Sequence, residues 1–317
     1  MRPWFIKPAL IMDTNRQTRA PLIANLLCMM SMLVWSAGLP AIQHLLTIVP
    51  PVPLSAMRTG LAGLVLVALW AAVEGTDALH RAPWGRGMWI GFVVMGVSAA
   101  LIAMALQMTD AVTVAILTAT MPIAGIALEC LFDGRKMTAR LLLGLGLSVL
   151  GGIIVLGRAP AGLSLGWGAM LTLGSVLAFT WGSRASVKSF PGLSPLGQTA
   201  LTVAGAGLTM TAASVLYSLT GGPPVAWGQI GIADLGALAI ASIGAIAISQ
   251  TLWIISVGQL GIGISSLHTN ATPFYVMLIA FALGAGWSWP QALGAAIVAL
   301  GVLVAQGLIL PPRTVSL

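Results

Sequence analysis

The sequence predicts an all-α integral membrane protein with ten transmembrane helices in two inverted five-helix repeats. Three observations support this fold class: the apolar composition, ten apolar runs of similar length, and a similarity between the two halves of the chain. Of 317 residues, 58% are apolar and only 7% are charged, whereas an ordinary soluble domain carries about 25% charged residues. With a mean hydropathy of +1.00, the chain could not cover the surface of a water-soluble fold, so we expect it to lie in a bilayer.

The ten apolar runs each hold about 20 residues, which is enough to cross a hydrocarbon core roughly 30 Å thick. Basic residues precede the first run, as they do in a signal peptide. That run is about 26 residues long and another follows it directly, so we interpret it as an uncleaved helix. The predicted spans are residues 21–46, 53–73, 88–108, 111–132, 138–156, 165–184, 195–219, 235–257, 262–284 and 290–310.

The lysine and arginine residues indicate the orientation of these spans. If the N-terminus is cytoplasmic, twelve of the fourteen lie on the inner side, Arg158 lies on the outer side, and Arg58 lies within the second span. Basic residues accumulate on the cytoplasmic side of membrane proteins, so we expect a protein of the cell (inner) membrane with both termini in the cytoplasm. This topology and anionic lipid headgroups explain the pI of about 10.5 without a nucleic-acid partner. The twelve inner residues are Arg2, Lys7, Arg16, Arg19, Arg81, Arg86, Arg135, Lys136, Arg140, Arg184, Lys188 and Arg313.

The two halves of the chain align with each other in four places, which are three segments and one tryptophan pair. The offset between them varies only between 142 and 151 residues. The alignment matches Pro122 to Pro273, and Trp35 falls near the counterpart of Trp181. A duplication is therefore predicted. The aligned segments are "LTATMPI" (117–123) with "HTNATPF" (268–274), "GLGLSVLG" (144–151) with "GAAIVALG" (294–301), and "PLSAMRTGLAG" (53–63) with "PLGQTALTVAG" (195–205).

Each predicted half holds five spans, an odd number, so the two copies enter the membrane from opposite sides. Such an inverted repeat is typical of transporters that work by alternating access. The predicted organisation is a cytoplasmic basic N-terminal tail at 1–20, a first five-helix repeat at 21–157, a second at 165–310 and a short cytoplasmic tail at 311–317.

This plan resembles the ten-helix transporters of the drug/metabolite transporter superfamily, EamA type. In each half the fourth helix has small residues and threonine before a proline, and a glycine-patterned fifth helix follows. Here these segments are "LTATMPIAGIALECLFDGRK…GLGLSVLGGIIVLG" and "LHTNATPFYVMLIAFALGAG…GAAIVALGVLVA". The resemblance departs from the family where a glutamate often follows the fourth helix, because this chain has "DGRK" and "GWSW" there. It implies an inner-membrane carrier, commonly an exporter of amino acids, other metabolites or cationic drugs, with a cavity shared by both halves.

The segment "LHTNATPFYV" concentrates hydrogen-bonding groups inside a predicted span. In an ideal helix His268 and Thr272 are four residues apart and share a face, which Tyr275 extends. Gln250 of the preceding span lies at the same depth as His268, roughly 10 Å from the inner end, and Trp253 lies on the same span as Gln250. We therefore expect these five side chains to line a substrate cavity, with the histidine able to titrate near neutral pH.

The alternative interpretation of the same segment is local packing. Thr269 and Thr272 would donate to carbonyls of their own helix, while Asn270 would bridge to a neighbouring helix. Pro122 and Pro273 each fall near the middle of a predicted span, where proline removes a helical hydrogen bond. We expect both prolines to kink their helices, to shape the cavity and to act as hinges.

Arg58 and two tryptophans are further candidates for the cavity wall. Arg58 lies about five residues into the second span, where it could snorkel to the outer face, pair with Asp110, or bind a substrate carboxylate. Trp35 and Trp181 lie inside spans, where an aromatic side chain either packs between helices or forms part of a cavity wall. The sequence leaves these alternatives open.

The sequence lacks the signatures of an enzyme. It has no HExxH, GxSxG, P-loop or nucleotide-binding fingerprint, so we expect no catalytic residue. Cys28 and Cys130 fall in apolar runs and are interpreted as small apolar residues rather than a disulfide or metal pair. Glu129 is expected to pair with Arg135 or Lys136, with a role in proton coupling as the alternative.

These patterns predict a secondary transporter that moves a small organic solute by alternating access, and we favour export of amino acids or amphipathic metabolites or drugs. Two alternatives on the same fold stay open. A sugar-phosphate or nucleotide-sugar carrier would need several deep cations to hold phosphate, and a flippase would carry a lipid-linked substrate. The expected partners are a small-molecule substrate and the lipid bilayer, with a homodimer as an open alternative. No cofactor, metal or nucleic acid is expected.

Overall fold

The described part of the chain is built from helices. A computed structural model describes residues 14–105, 108, 117, 118, 120–156, 166–282, 284 and 286–309, and these ranges contain no strand. The helices of the first half are α1 (Thr14–Leu45), α2 (Pro51–Glu74), the short α3 (Thr76–His80), α4 (Trp84–Gly91, a π-helical segment Phe92–Val97, and Ser98–Ala105), α5 (Met121–Phe132) and α6 (Ala139–Leu156). Those of the second half are α7 (Trp167–Lys188), α8 (Pro195–Leu219), α9 (Ile232–Ala239, a π-helical segment Ile240–Ile248, and Ser249–Leu260), α10 (Ile262–Leu267, a 3-10 turn His268–Ala271, and Thr272–Ala282) and α11 (Trp289–Gln306).

Within the described ranges, five helices are long and apolar enough to cross a membrane, and three more are apolar but shorter. The prediction of an all-helical chain with membrane-length apolar helices is confirmed. α7 contains many serine, threonine and glycine residues, and α10 is divided by its 3-10 turn, so neither is a uniform apolar rod. The five long segments are Pro21–Ile42, Pro51–Glu74, Trp84–Ile102, Pro195–Leu219 and Ile232–Leu260.

Helix ends follow local chain chemistry. Proline occupies the first turn of α2, α8 and α11, where its missing N–H would have had no helical partner. Ser194 caps α8 by accepting a hydrogen bond from the Gly197 N–H at 3.0 Å. The turn between α9 and α10 is a single glycine, Gly261, with φ of 81°, a conformation that other residues rarely adopt. α1 begins at Thr14, so part of the predicted tail at 1–20 is helical; residues 1–13 lie outside the described residues.

Two helix pairs pack so closely that only glycine fits between them. α2 packs along α8, and a Cβ atom at Gly63 would lie 2.9 Å from the Cα of Ala204. α6 packs along α11, and a Cβ atom at Gly144 would lie 2.5 Å from the Gly301 carbonyl oxygen. Close backbone approach at small residues is the usual means by which membrane helices gain packing energy.

Ion pairs lie at one end of the helix bundle, where α5 and α7 end. The Arg184 guanidinium donates to both Asp133 oxygens at 2.9 and 2.7 Å, and Lys188 lies 3.5 Å from the same carboxylate. These contacts, chiefly the hydrogen bonds from the arginine, lower the pKa of the aspartate. Glu129 pairs with Arg135, as expected from the sequence.

Glu129 also joins the two halves of the chain. Its Oε1 atom accepts a hydrogen bond from the Gly263 N–H at 3.0 Å, at the start of α10. A Cβ atom at Gly261 would collide with the same oxygen. At the opposite end of the bundle, His44 Nε2 and Asp234 Oδ1 lie 2.6 Å apart and connect the end of α1 to the start of α9.

Candidate functional site

A cavity of about 1,090 Å³ lies among the helices of both halves. Side chains from α1, α2, α4, α5, α7, α8, α9 and α10 form its wall, together with Gly152 of α6. Ligand pockets in proteins usually have volumes of about 300–1,000 Å³, so this cavity can hold a small organic molecule with room for water. Most of its wall is apolar, with a few hydroxyl and amide groups and one guanidinium among the described residues.

The two π-helical segments lie beside this cavity and are connected to neighbouring helices by serine hydroxyls. Directly after the segment in α4, the Ser98 carbonyl accepts a hydrogen bond from the Ser175 hydroxyl of α7 at 2.7 Å. Directly after the segment in α9, the Ser249 carbonyl accepts one from the Ser31 hydroxyl of α1 at 2.8 Å. All four serines line the cavity, so we name these two contacts the serine bridges. Short π-helical insertions often lie at functional sites.

The structure brings five of the sequence-predicted residues together in the cavity wall: Trp35, Arg58, Gln250, Trp253 and Thr272. The Arg58 Nε atom donates to the Ala241 carbonyl, within the second π-helical segment, at 3.2 Å. Trp35 lines the cavity and is 40% exposed in total. The Gln250 amide makes no hydrogen bond to a residue in the described ranges.

Two of these five residues have other side chains as partners. Trp253 Nε1 donates to the Ser183 hydroxyl at 3.2 Å, and its ring lies 6.3 Å from that of Phe179. The Thr272 hydroxyl lies 3.9 Å from the Met32 sulfur. The first contact orients an indole at the cavity wall, since a buried indole N–H normally finds an acceptor.

Three predicted residues are not among the described residues that line the cavity. His268 is buried in the 3-10 turn, and its Nδ1 atom has no hydrogen-bond partner within the described ranges. Tyr275 packs in the apolar core cluster that also contains Met121. Trp181 packs in another core cluster with Leu201. A 3-10 helix turns about 120° per residue rather than 100°, so the helical face that His268 was expected to share with Thr272 is not kept.

Asn270 takes a place in the cavity wall that the sequence assigned to packing only. Its Nδ2 atom donates to the Ser148 carbonyl at 3.2 Å and hydroxyl at 3.1 Å, so the expected bridge to a neighbouring helix is present. A Cβ atom at Gly152 would lie 3.2 Å from the Asn270 Cβ atom, so glycine makes room for this side chain. Thr269 donates to the Ser266 carbonyl of its own segment at 2.7 Å, as the packing alternative expected.

Both predicted hinge prolines lie at starts of α-helical segments. Pro122 is in the first turn of α5, and Pro273 is the second residue of the segment Thr272–Ala282, directly after the 3-10 turn. The expected kink within a continuous helix is therefore replaced by a restart of the helix, a position where proline costs little. Met121 and Thr272, the residues before the two prolines, both line the cavity.

Sequence reasoning missed the soft apolar part of the wall. Methionine is flexible and adapts to ligands of different shape, and five methionines line the cavity together with Phe179. No periodicity distinguishes these methionines from core residues, so the sequence carries no signal for them. The five are Met32, Met95, Met121, Met210 and Met277.

Arg58 is the one charged side chain among the described residues of the cavity wall. Arg58 has no carboxylate within 4 Å among the described residues, and the predicted partner Asp110 lies outside them. The described residues also contain no cluster of His, Cys, Asp or Glu side chains that could hold a metal ion. A guanidinium, amides, hydroxyls and aromatic rings can bind and orient a ligand.

Comparisons with known proteins agree with this architecture. Residues 22–157 match the EamA-like transporter family. The chain is 26% identical over 271 residues to the uncharacterized transporter YyaM of Bacillus subtilis (strain 168), covering 82% of this chain and 85% of that protein. A protein solved by crystallography superposes with a TM-score of 0.75 at 22% identity, covering 90% of this chain and 96% of that one, which shows the fold alone. Residues 22–157 are therefore similar to the EamA-like transporters, and the chain is similar over most of its length to a bacterial membrane transporter.

Proposed function

We propose that this protein is a secondary transporter that carries a small organic solute across the cell membrane by alternating access. The observation that supports this best is the cavity of about 1,090 Å³, whose wall is shared between the two halves of the chain. In transporters of this kind, binding at the interface between two repeats allows one repeat to rock against the other around a fixed site. Any concentrating action would use an ion gradient or solute exchange, and the proposal assigns no catalytic residue.

The serine bridges support an internal repeat of ten transmembrane helices. Ser31 and Ser175 are 144 residues apart, and Ser98 and Ser249 are 151 residues apart, within the offset at which the halves align. The two bridges are therefore exchanged when one half is mapped onto the other. The π-helical segments Phe92–Val97 and Ile240–Ile248 occupy corresponding places in α4 and α9.

The contact between α6 and α11 supports the inverted relation. The sequence alignment matches Gly144 to Gly294 and Gly151 to Gly301. In the structure Gly144 packs against Gly301, while a Cβ atom at Gly151 would lie 2.6 Å from the Gly294 carbonyl oxygen. Crossed pairing of this kind is what a two-fold axis between the two helices produces.

The basic residues support a cytoplasmic location for both termini. Arg135, Arg184 and Lys188 lie at the end of the bundle that carries the Asp133 ion pairs, close to the ends of α5 and α7. An excess of lysine and arginine marks the cytoplasmic face. We propose that this end faces the cytoplasm.

The wall of the cavity favours amino acids and amphipathic metabolites or drugs, moved outward, over phosphorylated sugars. Carriers of phosphate esters need several cations to hold the charge. Arg58 is the single cation among the described residues that line the cavity. The aromatic and methionine side chains suit a solute with an apolar body.

Filling the cavity should stop transport without unfolding the protein. Ala99 and the adjacent Ala100 of α4 are both exposed, but only Ala99 is among the residues that line the cavity. We expect Ala99→Trp to abolish saturable exchange of solute in proteoliposomes, because the indole occupies the binding volume. Ala100→Trp adds the same side chain next to the cavity and should retain exchange.

The measurement is counterflow of radiolabelled solutes into liposomes preloaded with the same unlabelled solute, with the thermal stability of each variant as a check of folding. A folded Ala99→Trp protein that exchanges solute at the wild-type rate would refute transport through this cavity. A flux that does not saturate and is not stimulated by solute on the opposite side would indicate a channel.

A further inference from the structure

The Arg58 guanidinium has N–H groups in the cavity wall that make no hydrogen bond to a described residue. Its Nε atom donates to the Ala241 carbonyl, and its Nη1 and Nη2 groups make no hydrogen bond to a residue in the described ranges. Arg58 is the eighth residue of α2, which places it about 10 Å along the helix at a rise of 1.5 Å per residue. The contact with Ala241 holds the guanidinium in the cavity wall and leaves the edge formed by Nη1 and Nη2 for a ligand.

The hydroxyl groups of the polar neighbours of Arg58 on α2 donate hydrogen bonds within their own helix. Ser55 donates to the Pro51 carbonyl at 2.9 Å, and Thr59 donates to the Ser55 carbonyl at 2.8 Å. Both residues line the cavity beside the arginine. The guanidinium is therefore the strong free donor on this part of the wall.

A guanidinium at this depth is costly to keep without a counter-ion. Charged groups inside membrane proteins pair with an opposite charge, with backbone carbonyls or with water in a cavity. Arg58 has one carbonyl, Ala241 O, and no carboxylate within 4 Å among the described residues. An anion that binds there would supply the missing charge, and the planar fork of arginine fits a carboxylate with two parallel hydrogen bonds.

The rest of the wall fits an apolar body attached to that anion. Trp35, Phe179 and Trp253 supply aromatic surface, and the five methionines can adapt to different shapes. The Gln250 amide adds a neutral donor and acceptor without charge. Among the described lining residues there is no carboxylate to match a ligand ammonium group.

On the basis of the transport function proposed above, we infer that the cavity selects amphipathic monoanions, with one carboxylate bound by Arg58 and an aromatic or aliphatic body held by the tryptophans and methionines. Zwitterions and cations bind less well, because their ammonium group has no acidic partner in the described wall. Of the solutes proposed above, this inference selects the amphipathic monocarboxylates and places the zwitterionic amino acids among the weaker ligands.

The test uses four probes that share one carbon skeleton and differ in charge: 3-phenylpropionate, 3-phenylpropionamide, 3-phenylpropylamine and phenylalanine. Thermal stabilisation of the purified protein by each probe is measured in detergent. We expect 3-phenylpropionate to bind wild-type protein at least tenfold more tightly than the other three, the size of one charge-assisted hydrogen bond. If the carboxylate stabilises wild-type protein no more than the amide or the amine does, the inference is overturned.

Two variants of Arg58 separate charge from structure. Arg58→Gln keeps a side-chain N–H that can reach the Ala241 carbonyl but removes the charge, so it should lose the preference for the carboxylate while binding of the amide is unchanged. Arg58→Lys keeps the charge without the planar fork and should retain part of the preference. Arg86→Gln removes an exposed arginine outside the cavity wall and should match wild-type protein. An unchanged preference in folded Arg58→Gln would overturn the inference.

Counterflow in proteoliposomes distinguishes this inference from the proposed function. If the carboxylate binds through Arg58 but none of the four probes exchanges across the membrane, the anion site stands and transport fails. If 3-phenylpropionate exchanges equally well in wild-type and folded Arg58→Gln protein, transport stands and the anion site fails.

Discussion

The two halves of the chain share backbone features but present different side chains to the cavity. α4 and α9 each contain a π-helical segment followed by a serine bridge. Arg58 lies in the cavity wall, whereas the aligned residue of the second half is Ala200, which is fully buried. Trp35 lines the cavity, whereas Trp181 packs in the apolar core. The backbone features are thus common to both halves, while the charge and the exposed indole belong to the first.

The fourth predicted spans of the two halves differ in backbone conformation, and here the second half supplies the additional cavity residue. The described part of α5 is a regular helix from Met121 to Phe132, whereas α10 is interrupted by the 3-10 turn His268–Ala271. That turn places Asn270 in the cavity wall. In the alternating-access mechanism proposed above, the two halves would exchange conformations and would need equivalent backbones. A small organic solute has no two-fold symmetry and would need unlike groups on its two sides. Under this proposal, the difference between the halves separates the constraints on the backbone from those on the binding site.

The largest expected effect is a loss of stability at the close glycine contact between α6 and α11, which joins the two halves. Gly144→Ala introduces a Cβ atom 2.5 Å from the Gly301 carbonyl oxygen, so it should lower the free energy of unfolding by about 3 kcal/mol and reduce the yield of monodisperse protein. Gly301→Ala should cost a similar amount, because its Cβ atom would lie 2.6 Å from the Gly144 carbonyl oxygen.

Gly146→Ala is the matched control on the same helix. Nothing lies within 4 Å of a Cβ atom there, so alanine should be neutral or stabilising by up to about 1 kcal/mol. Thermal unfolding followed by size-exclusion chromatography measures all three variants. Equal stability of the Gly144 and Gly146 variants would show that the close contact between α6 and α11 does not contribute to the stability of the protein.

An intermediate effect is expected at the two helix restarts. Pro122→Ala together with Pro273→Ala should reduce the transport rate roughly tenfold while changing expression less, because hinge positions affect transport steps more than folding. Single variants compare the halves, and a larger effect of Pro273 would follow from its place after the 3-10 turn. Counterflow and membrane expression are measured together. Pro195→Ala, at the start of α8, is the control, and full activity of the double variant would remove the hinge hypothesis.

The smallest effect is expected at the serine bridges, and it tests their equivalence most directly. Ser31→Ala and Ser175→Ala each remove one hydroxyl donor from a buried carbonyl, so each should lower the free energy of unfolding by about 1 kcal/mol. Similar losses in thermal stability would indicate that the two bridges have equivalent structural roles in the two halves. A loss confined to one serine would mean that the two bridges do not have equivalent structural roles.

Much of the architecture followed from the order of apolar and polar residues. Hydrophobic runs fixed the number and approximate limits of the predicted spans, because a bilayer demands about 20 apolar residues per crossing. The pairing of Glu129 with Arg135 followed from their spacing near a helix end. The equivalence of the serine bridges was also within reach of the sequence, since Ser31 and Ser175, and Ser98 and Ser249, are separated by offsets within the range of the aligned segments.

The polar segment "HTNATPFY" shows where such reasoning fails. A continuous helix would have grouped His268 with Thr272, but the chain forms a 3-10 turn before Pro273 and brings Asn270 to the cavity instead. Proline restricts the residue before it and cannot donate the usual helical hydrogen bond. The sequence indicates a break in the helix before Pro273, but it does not indicate how the side chains on either side of the break are rotated relative to each other.

The sequence by itself determined that this protein is helical with membrane-length apolar segments, has an internal similarity and carries one arginine within a predicted span. Those properties depend on composition and on separations along the chain. Only the tertiary structure decided which polar groups meet: Arg58 with the Ala241 carbonyl, Trp253 with Ser183, and Asn270 with Ser148. These contacts join helices that are far apart in sequence, and helix rotation, π-helical segments and close glycine contacts set their geometry, none of which a linear pattern encodes.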